Sequence, residues 1–144
     1  MRKIALVSSF ALLGCGAGWV QNRPRQLAIG NPQLAFEAII VTLRAGGYNT
    51  VEMDQARYYL RAASRVDGDV VGRVGMWGSV SVTARMSWIS FQVYSDGQIA
   101  ATANGYHVRD QGAVMSRRLA EEIDSLMYTI AQNARILASQ RQMP

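Results

Sequence analysis

The sequence predicts an α+β fold, in which an antiparallel sheet with a central hairpin is covered on one face by an N-terminal helix and a long C-terminal helix. Three observations predict it. Apolar residues recur at helical spacing after an Asn-Pro pair at residue 31, and again from residue 112 to residue 139. Between these segments, alternating apolar residues flank an Asp-Gly pair at residue 96, which is typical of a hairpin. Helices grouped at the two ends of such a run are expected to pack on one face of the sheet.

The first helix is predicted to begin at Asn31-Pro32 and to end at Gly46-Gly47. Asparagine is a favourable N-cap, proline is preorganised for the first helical position, and glycine accepts the left-handed conformation that follows a helix. The apolar face of this helix carries Phe36, Ile39, Ile40 and Leu43. Residues 16–30 are predicted to be a short tether with a first strand over Gln26–Ile29, and Tyr48–Met53 is predicted to be a strand after the helix.

Residues 57–66, RYYLRAASRV, fit either a strand or a helix. A period of two places Tyr58, Leu60, Ala62 and Val66 on one side. It places the candidate interaction surface on the other side: Arg57, Tyr59, Arg61 and Arg65. A helical period would instead align Ala56, Leu60 and Ala63. We favour the strand because two tyrosines suit a strand and an Asp-Gly turn follows. The arginine row could contact anionic head groups or an acidic partner, or could simply be a solvated face.

The central hairpin is predicted around Asp96-Gly97, a two-residue turn that would pair Tyr94 with Ile99 and Trp88 with Gly105. Even-numbered positions from Val80 to Trp88 are apolar, and odd-numbered positions take over from Ile89 to Val93. A strand that changes faces in this way is expected to contain a bulge near Trp88-Ile89. The candidate pocket under this hairpin would be lined by Trp77, Trp88 and Tyr106.

The last element is predicted to be a helix from Gly112 to Ser139. Its apolar stripe consists of Met115, Leu119, Ile123, Leu126, Ile130, Ala134 and Leu137. Acidic residues lie in its first half, and Arg135 and Arg141 lie near its end, as the helix dipole favours.

The N-terminal stretch SSFALLGCGAGW contains Cys15, the one cysteine of the chain. Arg2 and Lys3 precede an apolar run from Ile4 to Leu13, which is typical of a secretory signal peptide and too short to span a bilayer. Leu12-Leu13-Gly14-Cys15 resembles a bacterial lipobox. The resemblance implies cleavage before Cys15, a diacylglycerol on its sulfur and a third acyl chain on its new amine. Gly16 is similar to the residue found there in lipoproteins directed to the outer membrane.

These features divide the chain into a signal peptide at residues 1–14, a lipidated cysteine and tether at 15–30, and a single α+β domain at 31–144. Removal of residues 1–14 leaves 130 of the 144 residues and lowers the formal net charge from +5 to +3. The remaining basic residues are not clustered along one element, so we expect no nucleic-acid partner.

The sequence offers little for catalysis. It has one histidine, His107, and no nucleophile elbow, metal-ligand cluster or phosphate-binding loop. Glu121 and Glu122 are adjacent, so on a helix they point in different directions and cannot act as a pair. We therefore expect no enzymatic activity, no metal and no cofactor.

The mature chain weakly resembles small envelope-assembly lipoproteins, through its tether, the segments LRAGGYNTVE, ARYYLRAAS and SDGQIAATANGYHV, and its long terminal helix. The resemblance implies a non-catalytic accessory or scaffold subunit of an outer-membrane or trans-envelope assembly, anchored on the periplasmic face of the outer membrane. The expected partners are the membrane, through the anchor, and an envelope protein. Inner-membrane retention and surface exposure remain open. The alternative is a tethered module that binds a small ligand or inhibits a periplasmic enzyme.

Overall fold

The computed structural model describes residues 18–66, 87–107 and 112–142. These residues form one antiparallel sheet of six strands and two helices, so the predicted α+β class is confirmed. The elements, in chain order, are β1 (Gly18–Gln21), β2 (Arg25–Ala28), α1 (Pro32–Ala45), β3 (Thr50–Asp54), β4 (Tyr59–Ala63), β5 (Ser87–Val93), β6 (Gln98–His107) and α2 (Gly112–Arg141).

The strand order in the sheet is β1-β6-β5-β4-β3, and β2 also pairs with β6. β1 lies opposite Asn104–His107, and β2 lies opposite Gln98–Ala101, so the two short strands share one edge of β6. Pro24 lies between them and has no N–H to donate, which explains why this edge is interrupted. The strand predicted over Gln26–Ile29 corresponds to β2, displaced by one residue, whereas β1 was expected to be part of the tether. The four residues of β1 are too few for alternation to predict a strand.

Helix α1 begins and ends where its signals predict. The Asn31 side chain accepts a hydrogen bond from the Leu34 amide at 3.1 Å, and Pro32 occupies the first turn. Gly47 has a φ of +74°, which is the left-handed conformation expected after a helix. Ile40 is only partly buried. The fully covered side chains of α1 are Leu34, Ala35, Phe36, Ala38, Ile39, Thr42 and Leu43.

The β5–β6 hairpin differs from the predicted register by one residue. Val93 pairs with Ile99 and Trp88 with Asn104, instead of Tyr94 with Ile99 and Trp88 with Gly105. The turn holds three residues because the Tyr94 amide donates to the Gln98 carbonyl at 2.9 Å. Gly97, at φ +84°, is the left-handed residue that closes a three-residue loop. The additional loop residue shifts every pair of the ladder.

β5 contains no bulge at Trp88-Ile89, contrary to our expectation. Its pairing with β6 is regular from Ser87 to Val93, and its pairing with β4 is regular from Trp88 to Gln92. Ser87, Ile89, Phe91 and Val93 are buried, and Trp88 lies on the other face of the strand. On that face Trp88 packs against Trp19, so an apolar side chain at position 88 does not require the strand to change faces. The even-numbered positions from Val80 to Met86 lie outside the described residues.

The strand interpretation of residues 57–66 is confirmed for Tyr59–Ala63. Leu60 and Ala62 are fully buried, as the period of two predicts. Tyr58 precedes the strand in a turn, with a φ of +52°, and its ring packs edge-on against Phe36 at 5.5 Å between centroids.

The core is a single cluster of buried residues from both helices and from alternate positions of β4, β5 and β6. The predicted stripe of α2 is buried from Met115 to Ala134, Leu137 packs at its margin, and the helix extends to Arg141. A Cβ built at Gly105 would lie 2.5 Å from Met115 Sδ. Gly105 therefore permits close approach of α2, and not of the Trp88 indole as the predicted pairing implied.

Candidate functional site

An aromatic cluster, formed by Trp19, Trp88 and Tyr106, lies on the sheet face opposite the buried strand residues. Trp19 on β1 pairs directly with Tyr106 on β6, so their side chains project from the same face. Trp88 pairs with Asn104, two residues before Tyr106, and therefore shares that face. The Trp19 ring centroid lies 5.2 Å from that of Trp88 and 5.3 Å from that of Tyr106, in tilted and edge-on arrangements.

Strand alternation determines this placement. Ile89 and Ala103 are fully buried in the core, so Trp88 and Asn104, their neighbours along the chain, must face the other way. Trp19 is 52 % exposed, while Trp88 and Tyr106 are partly buried. A large indole that stays half in solvent on an aromatic patch is typical of a binding surface.

Arg61 borders the aromatic cluster on β4. Its guanidinium carbon lies 5.2 Å from the Trp88 ring centroid, within range of a cation–π interaction. Arg61 Nη2 lies 3.7 Å from Glu52 Oε2 on β3, so the charge of Arg61 is balanced locally. Arg61 Nε is buried and has no hydrogen-bond partner among the described residues. The guanidinium is thus packed between an indole and a carboxylate.

The predicted arginine row is not assembled as one stripe. Tyr59 and Arg61 share a strand face, and the Tyr59 hydroxyl donates to Ser90 Oγ at 3.3 Å. Arg57 lies in the preceding turn, with Nε 3.7 Å from Asp54 Oδ2. Arg65 follows the end of β4, and its guanidinium carbon lies 4.4 Å from the ring centroid of Tyr48. β4 begins after Arg57 and ends before Arg65, so the three arginines do not lie on one strand, and each has its own acidic or aromatic neighbour.

The predicted tryptophan–tyrosine pocket is only partly comparable with the structure. Trp77 lies outside the described residues, as does Cys15. Trp88 and Tyr106 are brought to one surface through Trp19, which the sequence analysis missed. The single alternation of Trp19, Val20 and Gln21 is too short to predict a strand.

A second cluster, centred on the Glu122 carboxylate of α2, was also missed. Ser64 Oγ donates to Glu122 Oε1, the Arg65 amide donates to Oε2 at 2.8 Å, and the Tyr48 hydroxyl donates to Oε2 at 3.0 Å. Burial of Tyr48, followed by the charge of Glu122 and its hydrogen bond, raises the pKa of the Tyr48 phenol to about 12, against a small opposing effect of Arg65.

This carboxylate cluster connects α2 to the segment after α1 and to the end of β4. The phenol is held protonated at neutral pH, and the Glu122 carboxylate accepts hydrogen bonds from both of these segments. Adjacent Glu121 is exposed, in agreement with the prediction that the two acids point in different directions. No sequence signal connects Glu122 with residues 58 and 74 positions away.

An open groove of about 250 Å³ lies between β2, the start of α1 and the second half of α2. Its walls are mainly apolar, with one charged side chain, and consist of Leu27, Ala28, Ile29, Leu34, Ala131, Ala134, Arg135 and Ala138. At this volume the groove is smaller than typical small-molecule sites, whose size range begins at about 300 Å³.

Within residues 18–66, 87–107 and 112–142, no three histidine, cysteine or acidic side chains are close enough to hold a metal ion. Neither helix of these segments combines the length and the apolar character needed to cross a bilayer. No protein-family model matches the chain, and no curated protein matches it significantly.

Proposed function

We propose that this protein is a non-catalytic accessory lipoprotein, anchored through Cys15 on the periplasmic side of the outer membrane, which serves as a scaffold subunit of an envelope assembly. The signal peptide and the stretch Leu12-Leu13-Gly14-Cys15 support the anchor. The exposed edge strand β3 is the observation that supports the scaffold role, because an open strand edge is a surface to which another chain can add.

The packing of the helices contributes to this proposal. We infer that α1 and α2 cover one face of the sheet, because buried residues of both helices join the buried strand positions in one core. Met115 and Leu119 also lie directly over Gly105 of β6. Among the described residues, no helix lies on the opposite face and no strand pairs with the outer edge of β3.

The β3 edge carries apolar side chains in solvent. Val51 is 57 % exposed and Met53 is 40 % exposed, although both lie on a strand that pairs with β4 on one side. Glu52 and Asp54 alternate with them, and the register shifts between Thr50 and Glu52. Such charges and irregularities discourage indiscriminate pairing. Because Glu52 and Asp54 already have arginine neighbours within this chain, a partner segment with apolar side chains would complement this edge.

To test the anchor, cells are grown with an alkyne analogue of palmitate, the protein is purified, and a reporter that reacts with the alkyne is attached. The parent should carry the label, and Cys15→Ser should lose it and accumulate with its signal peptide uncleaved. Equal labelling of the serine variant would exclude lipidation at this cysteine.

The scaffold role is tested in the same cells by placing a photo-crosslinking amino acid at Val51. A matched control places it at Tyr128, which is 67 % exposed on α2. A discrete adduct should form from position 51 and not from position 128, and it should weaken in the Cys15→Ser background. An adduct pattern that is the same at both positions, or no adduct at position 51, contradicts the proposal.

The alternative, a tethered module for a small ligand, is supported by the groove beside Arg135. The groove is open and small, so it supports the small-ligand alternative less strongly than the β3 edge supports the scaffold role.

A further inference from the structure

We propose that the aromatic cluster of Trp19, Trp88 and Tyr106 is a membrane-contacting surface, which lies in the head-group layer of the bilayer that holds the anchor. This inference rests on the proposed lipidation of Cys15. It adds a second, non-covalent contact with the lipid and thereby an orientation of the domain on the membrane.

The length of chain between the anchor and the cluster supports a lipid surface as the occupant. Trp19 follows Cys15 by four residues, and a fully extended chain spans at most about 3.6 Å per residue. The Trp19 Cα is therefore held within about 14 Å of the Cys15 Cα. The head-group layer is itself roughly 5–8 Å thick on each side of the hydrocarbon. An acylated Cys15 therefore keeps Trp19 within about 14 Å of the anchor, a distance from which it can reach the head-group layer.

The chemistry of the cluster fits the same occupant. Tryptophan and tyrosine are enriched at membrane–water interfaces because each combines an apolar ring with a polar N–H or O–H group. Trp19 exposes about half of its surface, 52 %, at the position closest to the anchor. Trp88 and Tyr106 extend the aromatic surface from β1 across β6 to β5. Two strand spacings make this patch about 10 Å wide.

The charges around the cluster determine what kind of membrane contact is expected. Among the described residues, Arg61 is the basic side chain that packs on the cluster, and its guanidinium lies 3.7 Å from the Glu52 carboxylate. Binding should therefore come from the rings rather than from attraction to anionic lipid. We expect the contact to persist when the salt concentration is raised or when phosphatidylglycerol is omitted, in contrast to a basic surface.

The test uses the full-length lipoprotein, purified in detergent and reconstituted into vesicles of phosphatidylethanolamine and phosphatidylglycerol. Asn104 lies between Trp88 and Tyr106 on the same face, and Asn104→Cys provides one free thiol for an environment-sensitive dye when Cys15 is acylated. Tyr128→Cys on α2 is the control site. Lipids with a nitroxide near the head group should quench the dye at position 104 several-fold more strongly than at position 128, at low and at high salt.

Substitutions in the aromatic cluster distinguish membrane contact through the aromatic rings from attachment through the acyl chains alone. Trp19→Ser should abolish most of the quenching at position 104. Tyr94→Ser removes an aromatic side chain of equal exposure, 51 % against 52 %, from the hairpin and should leave the quenching unchanged. Trp19→Tyr should retain most of it, which keeps the test informative if the serine variant is unstable.

The possible outcomes distinguish this inference from the proposed function. Intact mass reports acylation, and a chain without acyl groups overturns the proposed function together with this inference. An acylated chain whose position 104 is quenched no more than position 128, or whose Trp19→Ser variant is quenched like the parent, overturns the docking surface alone. Quenching that disappears at high salt identifies a charged contact and likewise overturns it.

Discussion

Gly97 connects the β5–β6 hairpin with the start of α1, and its replacement by alanine should destabilise the protein more than the same change at Gly30. Both glycines have a left-handed φ, +84° at Gly97 and +93° at Gly30. A Cβ at Gly97 would lie 2.5 Å from Gly30 C and 2.7 Å from Gly30 N, and would also overlap Asn31 N. A Cβ at Gly30 would meet nothing within 4 Å. Both variants therefore place an alanine in a left-handed conformation, but only Gly97→Ala also brings its Cβ into steric overlap with neighbouring backbone.

The expected magnitudes follow from these two costs. A left-handed alanine costs about 1–2 kcal/mol, and this is the whole effect expected for Gly30→Ala. In Gly97→Ala the neighbouring backbone must also move by about 1 Å, which costs about 1–3 kcal/mol, as in overpacked sites. The movement weakens the hydrogen bond from the Ile29 amide to the Gly97 carbonyl, at 3.2 Å, which contributes about 1 kcal/mol. Gly97→Ala should therefore cost about 3–6 kcal/mol.

Urea unfolding of residues 16–144, followed by far-ultraviolet circular dichroism, provides the assay. The midpoint of Gly30→Ala should fall moderately, and that of Gly97→Ala should fall at least twice as far or the variant should not fold. Equal losses in the two variants would refute the close approach of the hairpin to Asn31, and an unchanged midpoint in both would refute the left-handed conformations themselves.

Two further predictions concern the carboxylate cluster. Glu122→Ala should cost about 2–4 kcal/mol in unfolding free energy, because three donors lose their acceptor, whereas Glu121→Ala should change it by less than about 0.5 kcal/mol. Equal unfolding midpoints of the two variants would contradict this. The pKa of the Tyr48 phenol is raised from its ordinary value of 10.0 to about 12 in the folded protein, so the unfolded chain loses its proton first and stability falls as pH rises from 10 to 12. Tyr48→Phe should reduce this fall and remove one phenol that titrates near 12 by absorbance. A variant with the parent's pH dependence would show that another group is responsible.

The features that the sequence predicted well depend on residues close together in the chain. The start of α1 at Asn31-Pro32 and its end before Gly47 are set by local capping. The stripe of α2 repeats over many turns, so its period is unambiguous. The position of the Asp96-Gly97 turn was also correct, since few other residues accept a left-handed conformation there.

The failures have two physical origins. Two-residue and three-residue hairpin loops both use an Asp-Gly pair, and they differ in the backbone conformation of one residue, so sequence could not fix the register. The other failures involve contacts between distant segments. The sequence groups Trp88 with the apolar positions that precede it, because its contact partner Trp19 lies 69 positions away and gives no local signal. Arg65 does not lie on the same strand face as Arg61, because it follows the end of β4 and packs against the Tyr48 ring.

The two proposed surfaces together restrict where a partner protein would have to lie. The aromatic cluster begins at β1, and β3 is the opposite edge of the sheet, four strand spacings or about 19 Å away. With the cluster's face on the bilayer, the plane of the sheet is roughly parallel to the membrane, and the β3 edge points sideways along it. A chain that adds to this edge must then run close to the membrane surface. If both proposals hold, we expect the partner of the β3 edge to be itself membrane-associated and the outer sides of α1 and α2 to face away from the lipid.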